Sequence, residues 1–132
     1  MPMDWGNGEK EVVYTYGENL RRFVREAKQI GAYPVLLSMI PRNQWDEQGK
    51  VKRANQDFGF WAKQIAEEEQ VPFIDLNEIT AKKYDEIGAE QVKAKYFPGD
   101  HTHTNYEGAM ENAASVIEGL KEIKHPLVKY IQ

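Results

Sequence analysis

The 132-residue sequence predicts an α/β fold: a parallel sheet packed between helices as three layers, α/β/α. Two observations predict it. Stripes of apolar residues at helical spacing alternate with short apolar runs. The two runs, Tyr33-Pro34-Val35-Leu36-Leu37-Ser38 and Val71-Pro72-Phe73-Ile74-Asp75-Leu76, are nearly continuous rather than alternating, which suits strands buried on both faces of a parallel sheet. Helices between parallel strands imply right-handed crossovers.

The elements follow in order. Tyr16, Leu20, Phe23, Val24, Ala27 and Ile30 recur at helical spacing, and Gly31 stops that helix. The first strand comes next, then a Pro/Asn/Gly-containing loop from Ile40 to Gly49. A second helix places Phe58, Trp61, Ala62, Ile65 and Ala66 on one stripe, with Lys63, Glu67 and Glu68 opposite. Phe23, Phe58 and Trp61 are therefore expected in the core. After the second strand, Asn77 is the expected cap of a third helix ending near Ile87, while residues 88–96 carry no clear pattern. Thr104-Asn105-Tyr106-Glu107 reads as a capping box. It opens a last helix with Ala109, Ala113, Val116, Ile117 and Leu120 inward, and His125-Pro126 ends it.

Two strands are fewer than a typical sheet of about five or six. Residues 1–132 are accordingly expected to be a single partial domain, the C-terminal part of a larger α/β unit. The strand Tyr33–Ser38 should then present an unpaired apolar edge, and such edges recruit another strand. A homo-oligomer formed through that edge is expected, with Glu11–Tyr16 suited by composition to act as a substitute strand.

Composition narrows the function classes. Hydrophobic residues make up 41%, enough for a packed core. The net charge is −4 and there is no basic stripe, so nucleic acid is not an expected partner. No apolar run is long enough to span a bilayer, and the N-terminus has no signal-peptide core. The absence of cysteine removes thiolate ligands and nucleophiles. No cofactor is expected, and the compartment is not readable from this chain.

The chemistry concentrates in Phe97-Pro98-Gly99-Asp100-His101-Thr102-His103-Thr104-Asn105. Across a turn, the Asp100 carboxylate can bond one His103 nitrogen. That bond fixes the tautomer and leaves the other nitrogen free to accept a proton from a nucleophile. Asp100 could instead be a simple turn former. His101 could line the pocket rim or, with Asp100 and His103, hold a divalent metal; a metal is not the preferred reading. Arg42 follows the first strand, where α/β sheets bind ligands, and could hold an acidic sugar by bidentate bonding. Trp45 could pack the loop or stack on a sugar.

The block Phe97-Pro98-x-Asp100-His101-Thr102-His103-Thr104, followed by Gly108-Ala109, resembles the last block of the SGNH, or GDSL, hydrolases, most closely the rhamnogalacturonan acetylesterase type. Ser38-Met39-Ile40-Pro41-Arg42-Asn43-x-Trp45 and Phe73-Ile74-Asp75-Leu76 agree in place. The resemblance runs from about Tyr14 to about Leu120. It implies a flavodoxin-like parallel sheet, an acetylated pectin-type carbohydrate as substrate, His103 as base and Asp100 as its orienter. It also implies a serine from a Gly-Asp-Ser block and oxyanion donors from two further blocks. None of these is in the sequence. Ser38 and Ser115 are the only serines, and neither has the Gly-Asp context; Gly6-Asn7 matches a fragment of the asparagine block. The chain alone is therefore expected to be inactive, because nucleophile and oxyanion donors carry most of the rate. The alternatives are a non-catalytic carbohydrate-binding or degenerate remnant, and a metal-dependent hydrolase using Asp100, His101 and His103.

Overall fold

A computed structural model describes residues 2–4, 10–12 and 14–131. Two short strands, β1 (Pro2–Asp4) and β2 (Lys10–Val12), form an antiparallel ladder. Then come α1 (Tyr16–Gln29), β3 (Leu36–Leu37), α2 (Phe58–Glu68) and β4 (Phe73–Ile74). Helices α3 (Leu76–Ile87), α4 (Ala89–Tyr96) and α5 (Tyr106–Glu122) follow, and a 3-10 helix spans Pro126–Tyr130. Strands β3 and β4 are parallel, with Leu36 opposite Phe73 and Leu37 opposite Ile74. The Leu36 amide donates to Pro72 O and the Ser38 amide to Ile74 O, each at 3.0 Å. The chain is thus α/β with a small parallel sheet, as the two apolar runs predict.

Among the described residues β3 has no partner on its other edge. Glu11–Tyr16 does not serve there: Lys10–Val12 pairs with β1, and Tyr16 already begins α1. The Gly6-Asn7 pair lies outside the described residues.

Both strands are shorter than their apolar runs. Asp75, not Asn77, caps α3, its side chain accepting from the Glu78 amide at 3.2 Å, so β4 ends at Ile74. Asn77 is the second residue of the helix and is buried. Its Oδ1 accepts from the Ala54 amide at 3.0 Å and its Nδ2 donates to Met39 O at 2.9 Å. One side chain thereby ties both ends of the long loop after β3 to the start of α3.

The main core lies around α3 and α4. Val51, Ala81, Tyr84, Val92, Tyr96 and Phe97 are buried together, with Trp45 and Ile87 packed against them. Tyr84 stacks on Tyr96 at 5.7 Å and meets Phe97 edge-on at 5.9 Å. Helix α4, which has no clear sequence pattern, supplies three of these contacts through Val92, Tyr96 and its C-cap Phe97.

The expectation that Phe23, Phe58 and Trp61 are core is overturned: they are 69%, 41% and 42% exposed. Helix α2 does bury Ala62, Ile65 and Ala66 of the expected stripe, together with Gly59. Small residues on that face permit close approach, and a Cβ at Gly59 would come within 2.8 Å of Ala54 O. Phe58 and Trp61 form an edge-to-face pair at 5.3 Å, joined by Tyr16 at 4.9 Å from Phe58. Helix α1 buries only Val24. It is fastened to α2 by Arg21–Glu68 at 2.7 Å and Arg25–Glu69 at 3.0 Å, and α2 covers one side of its apolar stripe. Helix α5 keeps Val116, Ile117 and Leu120 half-buried but centres its inward face elsewhere. Gly108, Ser115 and Gly119 are buried, while Ala109 and Ala113 are exposed. The glycines let α5 press onto Tyr96 and Ile74, where larger residues would collide.

Candidate active site

The turn carrying Asp100 and His103 is held at both ends. On one side Phe97 is sunk in the core. On the other, Asn105 caps α5, accepting from the Gly108 amide at 2.9 Å. Asn105 also donates its amide to Tyr96 O at 2.9 Å and its Nδ2 to Lys95 O at 2.8 Å. The cap is thus Asn105 rather than Thr104, because its side chain serves the helix and the end of α4 together. Glu107 is exposed and is not part of the cap.

Within the turn the Asp100 carboxylate does three things. Its Oδ1 accepts the backbone N–H groups of Thr102 and His103, each at 2.7 Å. Its Oδ2 lies 2.8 Å from His103 Nδ1. The His103 N–H, its imidazole and the Thr102 N–H, in that order, hold the Asp100 carboxyl well below the usual carboxylate range. An ionised carboxylate only accepts, so Nδ1 carries a proton in this contact, and in the neutral ring Nε2 is then the nitrogen with the lone pair. The His103 side chain is 82% exposed and that of Asp100 51%, so Nε2 is open to solvent.

The remaining candidates gather at the same end of the sheet. The Asn43 amide donates to His101 O at 2.8 Å, which locks the Pro41–Trp45 loop to the turn and brings Arg42 beside it. Arg42 is exposed. Trp45 is half-buried against the core, and its Nε1 donates to Asn43 Oδ1 at 2.7 Å. His101 is exposed, with Nδ1 2.8 Å from Thr102 Oγ1. Among the described residues Asp100, His101 and His103 do not form a metal-holding group. The Asp100 oxygens are committed to the turn, and His101 is engaged with Thr102.

Neither serine is placed to attack an ester. Ser38 is buried; its Oγ donates to Asp75 Oδ1 at 2.8 Å and accepts from the Asn77 amide at 2.9 Å. Ser115 is fully buried and donates to Glu111 O at 3.1 Å. Sequence reasoning missed the positioning roles of Asn43, Asn77 and Asn105; Asn77 and Asn105 had a local signal as cap candidates, and Asn43 had none.

No family model matches the chain. Rhamnogalacturonan acetylesterase RhgT of Bacillus subtilis is 31% identical over 130 residues, covering 89% of this chain and 56% of that protein. Rhamnogalacturonan acetylesterase of Emericella nidulans is 31% identical over 103 residues, covering 78% and 41%. The crystal structure of YxiM from Bacillus subtilis superposes with a TM-score of 0.78 at 28% identity, over 83% of this chain and 31% of that one. Over most of its own length the chain is similar to rhamnogalacturonan acetylesterases of the SGNH type. It spans about half the length of the Bacillus relatives it matches, 56% and 55%. The Asp100-His101-Thr102-His103 segment is the three-bond turn around Asp100, and the Gly108 that follows it sits where α5 packs closely on Thr104 and Tyr96.

Proposed function

We propose that this chain supplies the Asp–His pair of a Ser-His-Asp triad in an O-acetylesterase acting on acetylated, pectin-type carbohydrate. The observation that carries this reading is the 2.8 Å contact between His103 Nδ1 and Asp100 Oδ2, with Nε2 left open. In this reading the serine stands on a Gly-Asp-Ser block outside the present sequence. His103 Nε2 takes the serine proton as Oγ attacks the acetyl carbonyl. The imidazolium formed is stabilised by Asp100 and returns the proton to the departing sugar hydroxyl. Water, deprotonated by His103 in turn, then releases acetate. Arg42, His101 and the exposed part of Trp45 form the substrate rim, with Arg42 as partner for a sugar carboxylate. The two strands and their helices are then part of a three-layer α/β/α sheet, flavodoxin-like in order.

The test is a chimaera in which this chain replaces the matching segment of the Bacillus subtilis acetylesterase RhgT. Acetate release from acetylated rhamnogalacturonan should persist and fall by about 10³-fold or more on His103→Ala. Release undiminished by that substitution would contradict the reading. The isolated chain should cleave p-nitrophenyl acetate no faster than free imidazole at matched concentration.

A further inference from the structure

A second cleft lies along the loop that follows β3. It has a volume of about 790 Å³ and is lined by Lys50, Lys52, Arg53, Asn55 and Gln56, with Asp46, Asp57 and Asp85 in its walls. That volume lies in the range of small-molecule sites, about 300–1,000 Å³. The loop leaves the C-terminal end of β3 and is tied back by Asn77, so the cleft shares the end of the sheet that carries Asp100 and His103.

Its formal charges balance, but its carboxylates are more engaged than its lysines. Asp46 Oδ1 accepts the amides of Gln48 and Lys50, both at 2.9 Å. Asp57 Oδ1 accepts the Phe58 amide at 2.6 Å. Asp85 takes the Val51 amide on one oxygen and Arg53 on the other, each at 2.8 Å. Arg53 is further held by Glu78 at 3.0 Å. Each wall carboxylate therefore has one oxygen on a backbone amide, and Asp85 gives its other oxygen to Arg53. Lys50 and Lys52 are exposed and make no ion pair among the described residues, and the exposed Asn55 and Gln56 stand beside them. Two uncommitted ammonium groups next to two side-chain amides suit a ligand with a carboxylate and several hydroxyls.

We propose that this cleft binds a carboxylate-bearing sugar unit of an acidic oligosaccharide, through Lys50 and Lys52 to the carboxylate and Asn55 and Gln56 to hydroxyls. The choice of a sugar over another carboxylate rests on the esterase reading above; the cationic cleft itself does not. The site would hold polymer backbone at a distance from the ester being cleaved.

The experiment titrates the ¹⁵N-labelled full chain with trigalacturonate and follows backbone amides. Shifts confined to residues 46–57, and binding weakened about tenfold in Lys50→Gln/Lys52→Gln, are expected. Lys50→Arg/Lys52→Arg should restore the affinity, and the methyl-esterified trimer should bind at least tenfold more weakly. His103→Ala should bind as the parent does, although it silences the chimaera, so the two readings fail separately. Amides 46–57 that do not move, a methyl ester that binds equally, or a glutamine pair that binds unchanged would each overturn the proposal. So would a loss of binding on His103→Ala.

Discussion

Gly108 offers the sharpest test of how the Asp100–His103 turn is built. It is the third residue of α5, and its N–H is capped by Asn105 at 2.9 Å. A Cβ there would meet Thr104 Cβ at 2.7 Å, Thr104 Cγ2 at 3.0 Å and Tyr96 Cβ at 3.1 Å. Ordinary contacts begin near 3.5 Å, so Gly108→Ala must push the helix or Thr104 by several tenths of an ångström. Overpacking of that kind costs about 1–3 kcal/mol. Disturbing the Asn105 cap adds up to about 1 kcal/mol. Replacing glycine by alanine in a helix returns at most about 1 kcal/mol. The net expectation is a loss of about 1–3 kcal/mol, read from urea unfolding at constant m. Gly99→Ala is the control, because nothing lies within 4 Å of a Cβ built there; it should stay within about 0.5 kcal/mol of the parent. A Gly108→Ala protein as stable as the parent, or a Gly99→Ala protein equally damaged, would refute the close-approach argument.

Further expectations concern the loop, the turn and the sheet edge. Asn77→Ala removes the partners of the Ala54 amide and the Met39 carbonyl from a buried site and should cost about 2–4 kcal/mol in the same assay; a change under about 0.5 kcal/mol would contradict the role given to Asn77. Because Asp100 is held below the ordinary carboxylate value near 3.9, its contribution to the fold is present above that pH and lost as pH falls towards its own lowered value. Carbon-13 titration of its carboxyl should show that depression, and a midpoint at or above about 3.9 would contradict it. The second edge of β3, unpaired among the described residues, and the 91% exposed Tyr33 before it should drive self-association; light scattering over a micromolar dilution series should show a dimer or larger, and a clean monomer would contradict this.

The legible parts of the molecule were local ones. Asp100 and His103 are three residues apart, and a turn at Pro98-Gly99 leaves few ways for an aspartate to bond the histidine beyond it. The parallel strands were legible because Leu36, Leu37, Phe73 and Ile74 sit in unbroken apolar runs. Burial was less legible. The α1 stripe through Phe23 and Ile30 shows a helix, but which side of it is covered depends on α2, whose inward face is chosen by the small Gly59, Ala62 and Ala66. The Gly108 and Gly119 face of α5 was hidden for the same reason: hydrophobic periodicity points to Ala109 and Ala113, whereas close helix packing selects glycine. Asp75 and Asn77 are both competent caps, and only the long-range demands of Ala54 and Met39 distinguish them. The Asn43–His101 bond joins residues 58 positions apart through backbone atoms, which leave no mark in side-chain chemistry.

In the proposed triad Asp100 holds His103 with Nδ1 protonated and Nε2 free to act as a base. ¹⁵N imidazole shifts of His103, assigned with a His103→Gln variant and recorded with the ring neutral, test it directly. The Nδ1–H tautomer should be the major form, with Asp100→Asn moving the population towards Nε2–H. A His103 already in the Nε2–H form, and unmoved by Asp100→Asn, would contradict it.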